Sequence, residues 1–433
     1  MIGTSLPPRL RRAVSSYTGI VRTLDECLAT SADPPLYRAT CDVRGGDALL
    51  GSPLDHCSGI GGSGTTRGEA AAAAVGEALE RYSASYVPRG SLVVTTARGL
   101  GDAAVSPERF ALFSDAQHST PGFPFRRFTA DTEVAWVEGR ALPTGEPAWL
   151  PAELVYLGAA ACADGPIGYA TSSGAACGQT SATTIERGLC ELLERDAFMI
   201  VWAAGLSMPL LDWARAPALL ELDRQFFAPT GLAYSAVDLS SLHGVPSVLG
   251  VVRAPPCFAG AVGVGAGTAA TIERAWLKAL SEAFAARSAG AKLELLERRS
   301  YGSNGEGVGS FEDHIRFYAD EVRARPAAFL DASPARTPVC DVSPLAGEPI
   351  ASLCRRVAAA GSSAYVVDVT SPDVAELGLV VTKVVAPELC ALDVAHGARF
   401  LGGRRLYEAA YELGLRARPL APADLNPYPH PFP

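Results

Sequence analysis

The chain contains one segment twice. Gly64-x-Thr66 followed by Glu77-Ala-Leu-Glu80-Arg81 recurs as Gly178-x-Thr180 followed by Glu191-Leu-Leu-Glu194-Arg195, with the same spacing in both copies. Each copy starts in a stretch rich in glycine, serine and threonine, residues 58–66 and 172–180, and ends in Glu-x-x-Glu-Arg. A weaker third version opens with Gly263-Val-Gly-Ala-Gly-Thr268 and carries Glu282 and Arg287. Alanine content and apolar period predict helices over 67–86, 182–204 and 269–288, each opened by a glycine-rich loop.

Residues three apart share a helix face, so Glu77 with Glu80, and Glu191 with Glu194, each present two carboxylates side by side. Ala71, Ala74, Val75, Ala78, Leu79 and Tyr82 occupy the rest of the first helix surface, which leaves its acids facing outward or into a cavity. Two such helices facing each other place four carboxylates around a small space, and like charges so placed take up protons unless a cation compensates them. Hard oxygen ligands of this kind suit Mg²⁺, which pairs one or two carboxylates with substrate phosphates. Glycine-rich loops at helix starts would offer N–H groups to those phosphates. The loop glycine and the acids are about thirteen residues apart, roughly 20 Å along a helix, so several helices must converge to bring both together. The plain alternative is an exposed helix, since Glu77 to Arg81 and Glu191 to Arg195 are favourable i,i+4 pairs.

Between the helices, residues 17–24, 134–140, 248–253 and 364–370 are β-branched runs that read as strands, giving an α/β or α+β fold. Proline-rich stretches 142–152, 253–257 and 334–349 read as loops. The division expected is an N-terminal arm and first strand over 1–55, then one catalytic domain over 56–433. Its final segment, Asn426-Pro-Tyr-Pro-His-Pro-Phe-Pro433, can join neither a helix nor a central strand and should run extended.

Composition excludes several classes. A net charge of -9, with basic residues clustered only at 9–12 and 404–405, argues against a nucleic-acid binder. Ten cysteines without one Cys-x-x-Cys exclude a zinc ribbon or thioredoxin-type motif. No apolar stretch spans a membrane and Met1–Arg12 has no secretory core, so a cytoplasmic location is expected. Gly59-Ile-Gly61-Gly-Ser-Gly64 matches G-x-G-x-x-G, yet no convincing strand precedes it and no acid-ending strand follows, which weakens a dinucleotide reading. A P-loop lacks its Gly-Lys-Ser/Thr, and none of the six histidines sits in a hydrolase context, although His430 lies inside the proline tail.

Segments 58–86 and 171–202, the Tyr-Thr-Gly-Ile-Val stretch at 17–21 and the proline-rich terminus together resemble the YcaO family, in particular the azoline-forming cyclodehydratases of ribosomal peptide natural products. The resemblance runs from about residue 17 to the end. It implies that a Cys, Ser or Thr side chain of a precursor peptide attacks the preceding amide, that ATP phosphorylates the oxyanion, and that phosphate leaves to form a thiazoline or oxazoline. It implies Glu77, Glu80, Glu191 and Glu194 as Mg²⁺ ligands near the phosphates. Ser63, Gln179, Arg195, Glu282 and Arg287 would contact ATP, and Pro429, Pro431 and Pro433 would orient substrate or, through the terminal carboxylate, serve as a base. Three positions depart from the family pattern: Ser63 stands where Lys is common, Thr183 where Glu is, and Ala285 where Gln is.

Thioamide or amidine formation by the same ATP chemistry, or a non-catalytic ATP-binding scaffold, are the alternatives; the proline-rich terminus favours azolines. Fused cyclodehydratases carry an E1-like (ThiF-like) region with cysteine pairs. Fewer than sixty residues precede the first loop here, so a separate leader-binding partner of that type is expected, together with the precursor peptide; members of the family often pair as homodimers.

Overall fold

In the computed structural model the described residues are 6–43, 60–158 and 164–433. The boundary expected at 55–56 and the residues Ser58 and Gly59 of the first glycine-rich stretch lie outside them. The chain forms two compact units, each assembled from separate stretches of sequence: residues 1–28, 36–192 and 353–388 in the first, and 29–35, 193–352 and 389–433 in the second.

The three repeats become three strand–helix pairs, and Gly61, Gly62, Gly64, Gly178, Gly263, Gly265 and Gly267 are strand residues rather than loop residues. Strand β3 (Gly61–Gly64) leads into helix α1 (Arg67–Ser85), β7 (Ala175–Gly178) into α2 (Ser181–Ala204), and β11 (Val262–Thr268) into α3 (Ile272–Leu296). The glycines replace the predicted loops with strands for a packing reason. On β11, Gly263, Gly265 and Gly267 point to one face, and a Cβ on them would stand 2.4, 2.5 and 2.2 Å from backbone atoms of Ala283, Ala283 and Ala275 in α3. Gly250 of β10 (Ser247–Arg253) meets Ala279 of the same helix in the same way, at 2.6 Å. Alanines at 275, 279 and 283 recur every fourth residue, so a stripe of small side chains faces a row of absent ones and the two backbones touch. Gly62 plays this part against Ala74 in the first copy, at 2.4 Å. Replacing Gly267 with alanine is expected to cost about 1–3 kcal/mol, because its new methyl meets a backbone carbonyl that cannot turn away; thermal or urea unfolding measures it.

In the first unit, β1 (Val21–Glu26), β2 (Tyr37–Val43) and β3 form an antiparallel three-stranded sheet. A second sheet runs β4-β5-β13-β14-β7, with β6 paired to β5. Its strands are β4 (Val93–Thr96), β5 (Glu133–Leu142), β6 (Pro147–Pro151), β13 (Ala364–Asp368), β14 (Val380–Val385) and β7. The proline-rich stretch 142–152, expected as a loop, is thus partly strand; β6 pairs with β5, meets only the Ala104–Val105 backbone at Trp149 on its other side, and carries its two prolines at its ends. The apolar positions named on α1 are all buried, Ala71, Ala74, Val75, Ala78 and Leu79 completely.

In the second unit, β11 and β10 continue through β9 (Ala233–Asp238), β8 (Leu210–Asp212) and β12 (Arg336–Pro338) in the order β11-β10-β9-β8-β12. Each repeat strand, β3, β7 or β11, therefore ends the order of its own sheet. The core of this unit packs the second half of α2, Ala197 to Ala204, around Phe198 and Trp202, with Phe317, Tyr318 and Phe432. Asp196 lies completely buried beside it. Arg405 donates to both carboxylate oxygens (Nε to Oδ1 and Nη2 to Oδ2, each 2.8 Å), the Cys390 N–H donates to Oδ1 at 2.8 Å, and His243 Nε2 lies 2.9 Å from Oδ2.

Candidate active site

The strand–helix pairing removes the distance problem posed by the sequence. Each glycine strand runs back along its helix, so the start of the strand, not the helix N-terminus, lies beside the acids. The Gly61 N–H donates to Glu77 Oε2 at 3.3 Å, and the Gly174 N–H, one residue before β7, donates to Glu191 Oε2 at 3.2 Å. Gly174 is required there: its φ is +83°, and a Cβ would stand 2.3 Å from the Val384 carbonyl oxygen. The second acid of the second copy is held differently, by the third repeat: the Thr268 N–H, at the end of β11, donates to Glu194 Oε2 at 2.7 Å.

The helix starts are already occupied. Thr66 caps α1 by accepting from the Glu69 N–H, and the Glu69 carboxylate returns to the N–H groups of Thr65 and Thr66. The hydrogen bond from the Thr65 hydroxyl, with those from the two amides, holds Glu69 below the usual carboxylate range. Thr180 accepts from the Thr183 N–H at the start of α2. The repeated Gly-x-Thr is therefore a cap signal. In the third copy the cap position falls at Thr271, three residues later than the motif suggested. Ser63 lies within β3, paired in register with Arg38, and Gln179 is exposed between β7 and α2.

Glu77 carries the plain i,i+4 pair, with Arg81 Nη2 2.6 Å from its Oε1. Glu80 is different. Burial, with Glu191 and then Glu77 nearby, pushes its carboxyl well above the ordinary range against the opposing pull of Arg81 and Lys383. Lys383, on β14, is almost fully buried, and its Nζ donates to the carbonyls of Thr171 and Ser173 at 2.5 Å each. Burial pulls its ammonium down to about 8, while Glu191 and Glu80 hold it up.

In the second unit, buried Glu194 is bridged by Lys278 (Nζ to Oε2, 2.9 Å), which also lies 3.7 Å from Glu282 on the same helix. Thus α2 gives Glu191 to the first unit and Glu194 to the second, and a lysine attends the acids of each. Among the described residues no three acidic, histidine or cysteine side chains gather closely enough to hold a metal ion by themselves. The donor set nevertheless suits Mg²⁺: Glu80 and Glu191 are hard oxygen donors, and Glu191 acts electrostatically on the desolvated Glu80 carboxyl.

Arg287 is buried, donates to the Ala259 carbonyl at 3.0 Å, and has its pKa drawn down by burial. Arg195 stacks its guanidinium 4.2 Å over the Phe432 ring. That ring belongs to the tail, which joins neither a helix nor a strand, as expected, and is buried from Pro429 to Phe432. Because prolines offer carbonyls but no N–H, the surrounding side chains donate: Trp202 Nε1 to Tyr428 O at 3.2 Å and Tyr318 Oη to Pro429 O at 2.5 Å. His314 Nδ1 lies 2.7 Å from His430 O, and the two imidazoles stack at 4.0 Å. His430 accepts the Phe432 N–H on Nδ1, so its proton sits on Nε2, 2.9 Å from the Asp393 carbonyl. Burial lowers its pKa well below the ordinary value and keeps the ring neutral. Pro429 and Pro431 are buried and Pro433 is half-buried.

Sequence reasoning missed Lys383 and Lys278. The signal was scarcity: the chain has only three lysines, Lys278, Lys292 and Lys383, against 34 arginines, and two of the three attend site acids.

The family model that matches residues 61–390 is described as YcaO cyclodehydratase, ATP- and Mg²⁺-binding, and the chain belongs to this family. Among solved structures, a heterocyclase in complex with substrate and cofactor is 23% identical with a TM-score of 0.80, covering 98% of this chain and 56% of its own. The heterocyclase TruD is 25% identical with a TM-score of 0.66, covering 84% of this chain and 52% of its own. The Escherichia coli microcin synthetase McbBCD complex aligns with a TM-score of 0.61 at 15% identity, over 86% of this chain and 89% of that one. This chain therefore spans about half the length of the first two. No curated protein matches it in sequence. No helix among the described residues is long and apolar enough to cross a membrane.

Proposed function

We propose that the chain is an ATP-dependent cyclodehydratase that converts Cys, Ser or Thr residues of a ribosomally made precursor peptide to thiazolines or oxazolines. The observation that carries this reading is the crowded Glu80–Glu191 pair in a member of the YcaO family. In the reaction the side-chain nucleophile adds to the preceding amide carbonyl, the oxyanion takes the γ-phosphoryl group of ATP, and loss of phosphate with a proton leaves the C=N bond of the ring. Mg²⁺, when bound, neutralises charge on the transferring phosphoryl group. Glu80 and Glu191 would hold it; Glu77 and Glu194, carried over from the family as further ligands, are each already engaged, with Arg81 and Lys278 respectively. The Gly174 amide fixes the direction of the Glu191 carboxylate.

Glu282, Arg287, Arg195, Gln179 and Ser63 remain the proposed ATP contacts, and Lys278 limits the freedom of Glu282. The docked tail supports azoline formation, since Arg195 and His430 hold Phe432, and with it Pro431 and Pro433, in one place. We further propose a separate protein that presents the precursor, in line with the assembly named for the microcin synthetase.

The test is mass spectrometry of a candidate precursor incubated with the chain, its neighbouring partner, ATP and Mg²⁺. Loss of one water per ring, dependent on ATP, is expected. Replacement of oxygen by sulfur would make the enzyme a thioamide former, and an unchanged peptide with no ATP consumed would overturn the reading.

A further inference from the structure

Lys383 has two attachments that bear on the acids. Its ammonium grips the carbonyls of Thr171 and Ser173, and the next residue of that segment, Gly174, gives its N–H to Glu191. The segment is pinned on its other side as well, because the Val384 N–H donates to the Gly174 carbonyl at 2.8 Å. Gly188 of α2, where a Cβ would stand 2.6 Å from that same carbonyl, brings the helix down onto it one turn before Glu191. The strand bearing Lys383, the 171–174 segment and the turn of α2 bearing Glu191 therefore form one rigid group. Lys383 sits in it as a single positive charge, with Glu191 and Glu80 both near enough to act on it.

The use of lysine in a chain that otherwise chooses arginine is itself informative. An ammonium is compact and spends its donors on oxygens arranged around a point, whereas a guanidinium fork needs a planar, wider opening. Two carbonyls each 2.5 Å from one buried nitrogen match the first.

We propose that Lys383 is a positioning residue and the fixed counter-charge of the Glu80–Glu191 pair, setting how strongly that pair holds a divalent cation. The proposal rests on the reading that these two acids hold Mg²⁺. Lys383 has its donors on backbone oxygens and stays in place when a cation arrives, so it opposes cation binding electrostatically while holding Glu191 in position. The site is thereby kept from binding Mg²⁺ tightly on its own, and occupancy depends on the charge brought by nucleotide phosphates.

Two substitutions separate the charge from the grip. Lys383→Gln keeps two N–H donors and loses the charge; Lys383→Met loses both. Calorimetric titration of the full chain with Mg²⁺ alone, and melting with and without Mg²⁺, give readouts independent of turnover. Lys383→Gln is expected to bind Mg²⁺ about tenfold more tightly than the unmodified chain, since one repulsive unit charge nearby is gone. Its melting temperature should fall without Mg²⁺ and rise more on adding it. Unchanged or weaker Mg²⁺ binding in a folded Lys383→Gln protein would overturn the proposal and leave Lys383 as a strut. If only the Met variant misfolds, the Gln variant still decides; if both melt lower by equal amounts with and without Mg²⁺, the role is structural and the proposal fails. Glu80→Gln distinguishes the underlying reading: loss of Mg²⁺ binding in it supports the acid pair as the cation site whatever Lys383 does, and unaltered binding removes that site and the proposal together.

Discussion

Glutamine in place of Glu191 is expected to lower ATP-dependent ring formation by about a hundred- to a thousandfold, the usual effect of removing one group that stabilises developing charge. The fold should survive. Glutamine has the same shape, and its Oε1 can still accept the Gly174 N–H that now ends on Glu191. Removing one acid also relieves Glu80, whose carboxyl is burdened by burial and by Glu191, so melting should be unchanged or slightly higher. Single-turnover ring formation beside a thermal melt measures both. Activity within a few fold of the unmodified chain would take Glu191 out of the site.

The largest expected effect on stability lies at Asp196. Asparagine there leaves the Arg405 guanidinium buried without its anion, a change that costs about 3–5 kcal/mol for a buried pair. The loss should also depend on pH. Burial alone would raise the Asp196 pKa, but Arg405 and His243 overcome it and hold the group below its ordinary 3.8. A carboxylate depressed in the folded state contributes stability that is fully present above its unfolded value, about 3.9, and is lost as the pH falls through the folded value. The difference in urea unfolding between the unmodified chain and Asp196→Asn should therefore be greatest near neutrality and shrink below about pH 4. A difference constant between pH 3 and 7 would mean that shape rather than charge is at stake. Asp196 follows Glu194 and Arg195 on the same helix, so the ion cluster also fixes the rotation of the turn that presents them.

Much of this was legible in the residues. The 3.6-residue period over 67–86 and 182–204 located α1 and α2 within a residue at each end, because apolar and small side chains there recur on one face that is buried. The glycine-rich stretches misled for a definite reason. Glycine is disfavoured in strands unless another backbone needs its space, and that need depends on a helix the local sequence does not display. Glycines two apart at 263, 265 and 267, ahead of alanines four apart at 275, 279 and 283, carry the pattern once both periods are read together. Lys383 sits in Val-Val-Thr-Lys-Val-Val, a run whose β-branched residues say strand and nothing about which carbonyls will surround the ammonium. The tail was legible through its prolines as joining neither helix nor strand, but its docking depends on Trp202, His314 and Tyr318, more than a hundred residues away in the chain.

The scarcity of lysine has a practical side. Amine-directed reagents meet only three side chains, of which Lys292 is exposed, Lys278 is partly covered between two carboxylates and Lys383 is enclosed. Three peptides in a digest then report the whole lysine footprint: Lys292 serves as an internal standard, and Lys278 and Lys383 register changes around the acids of each compact unit.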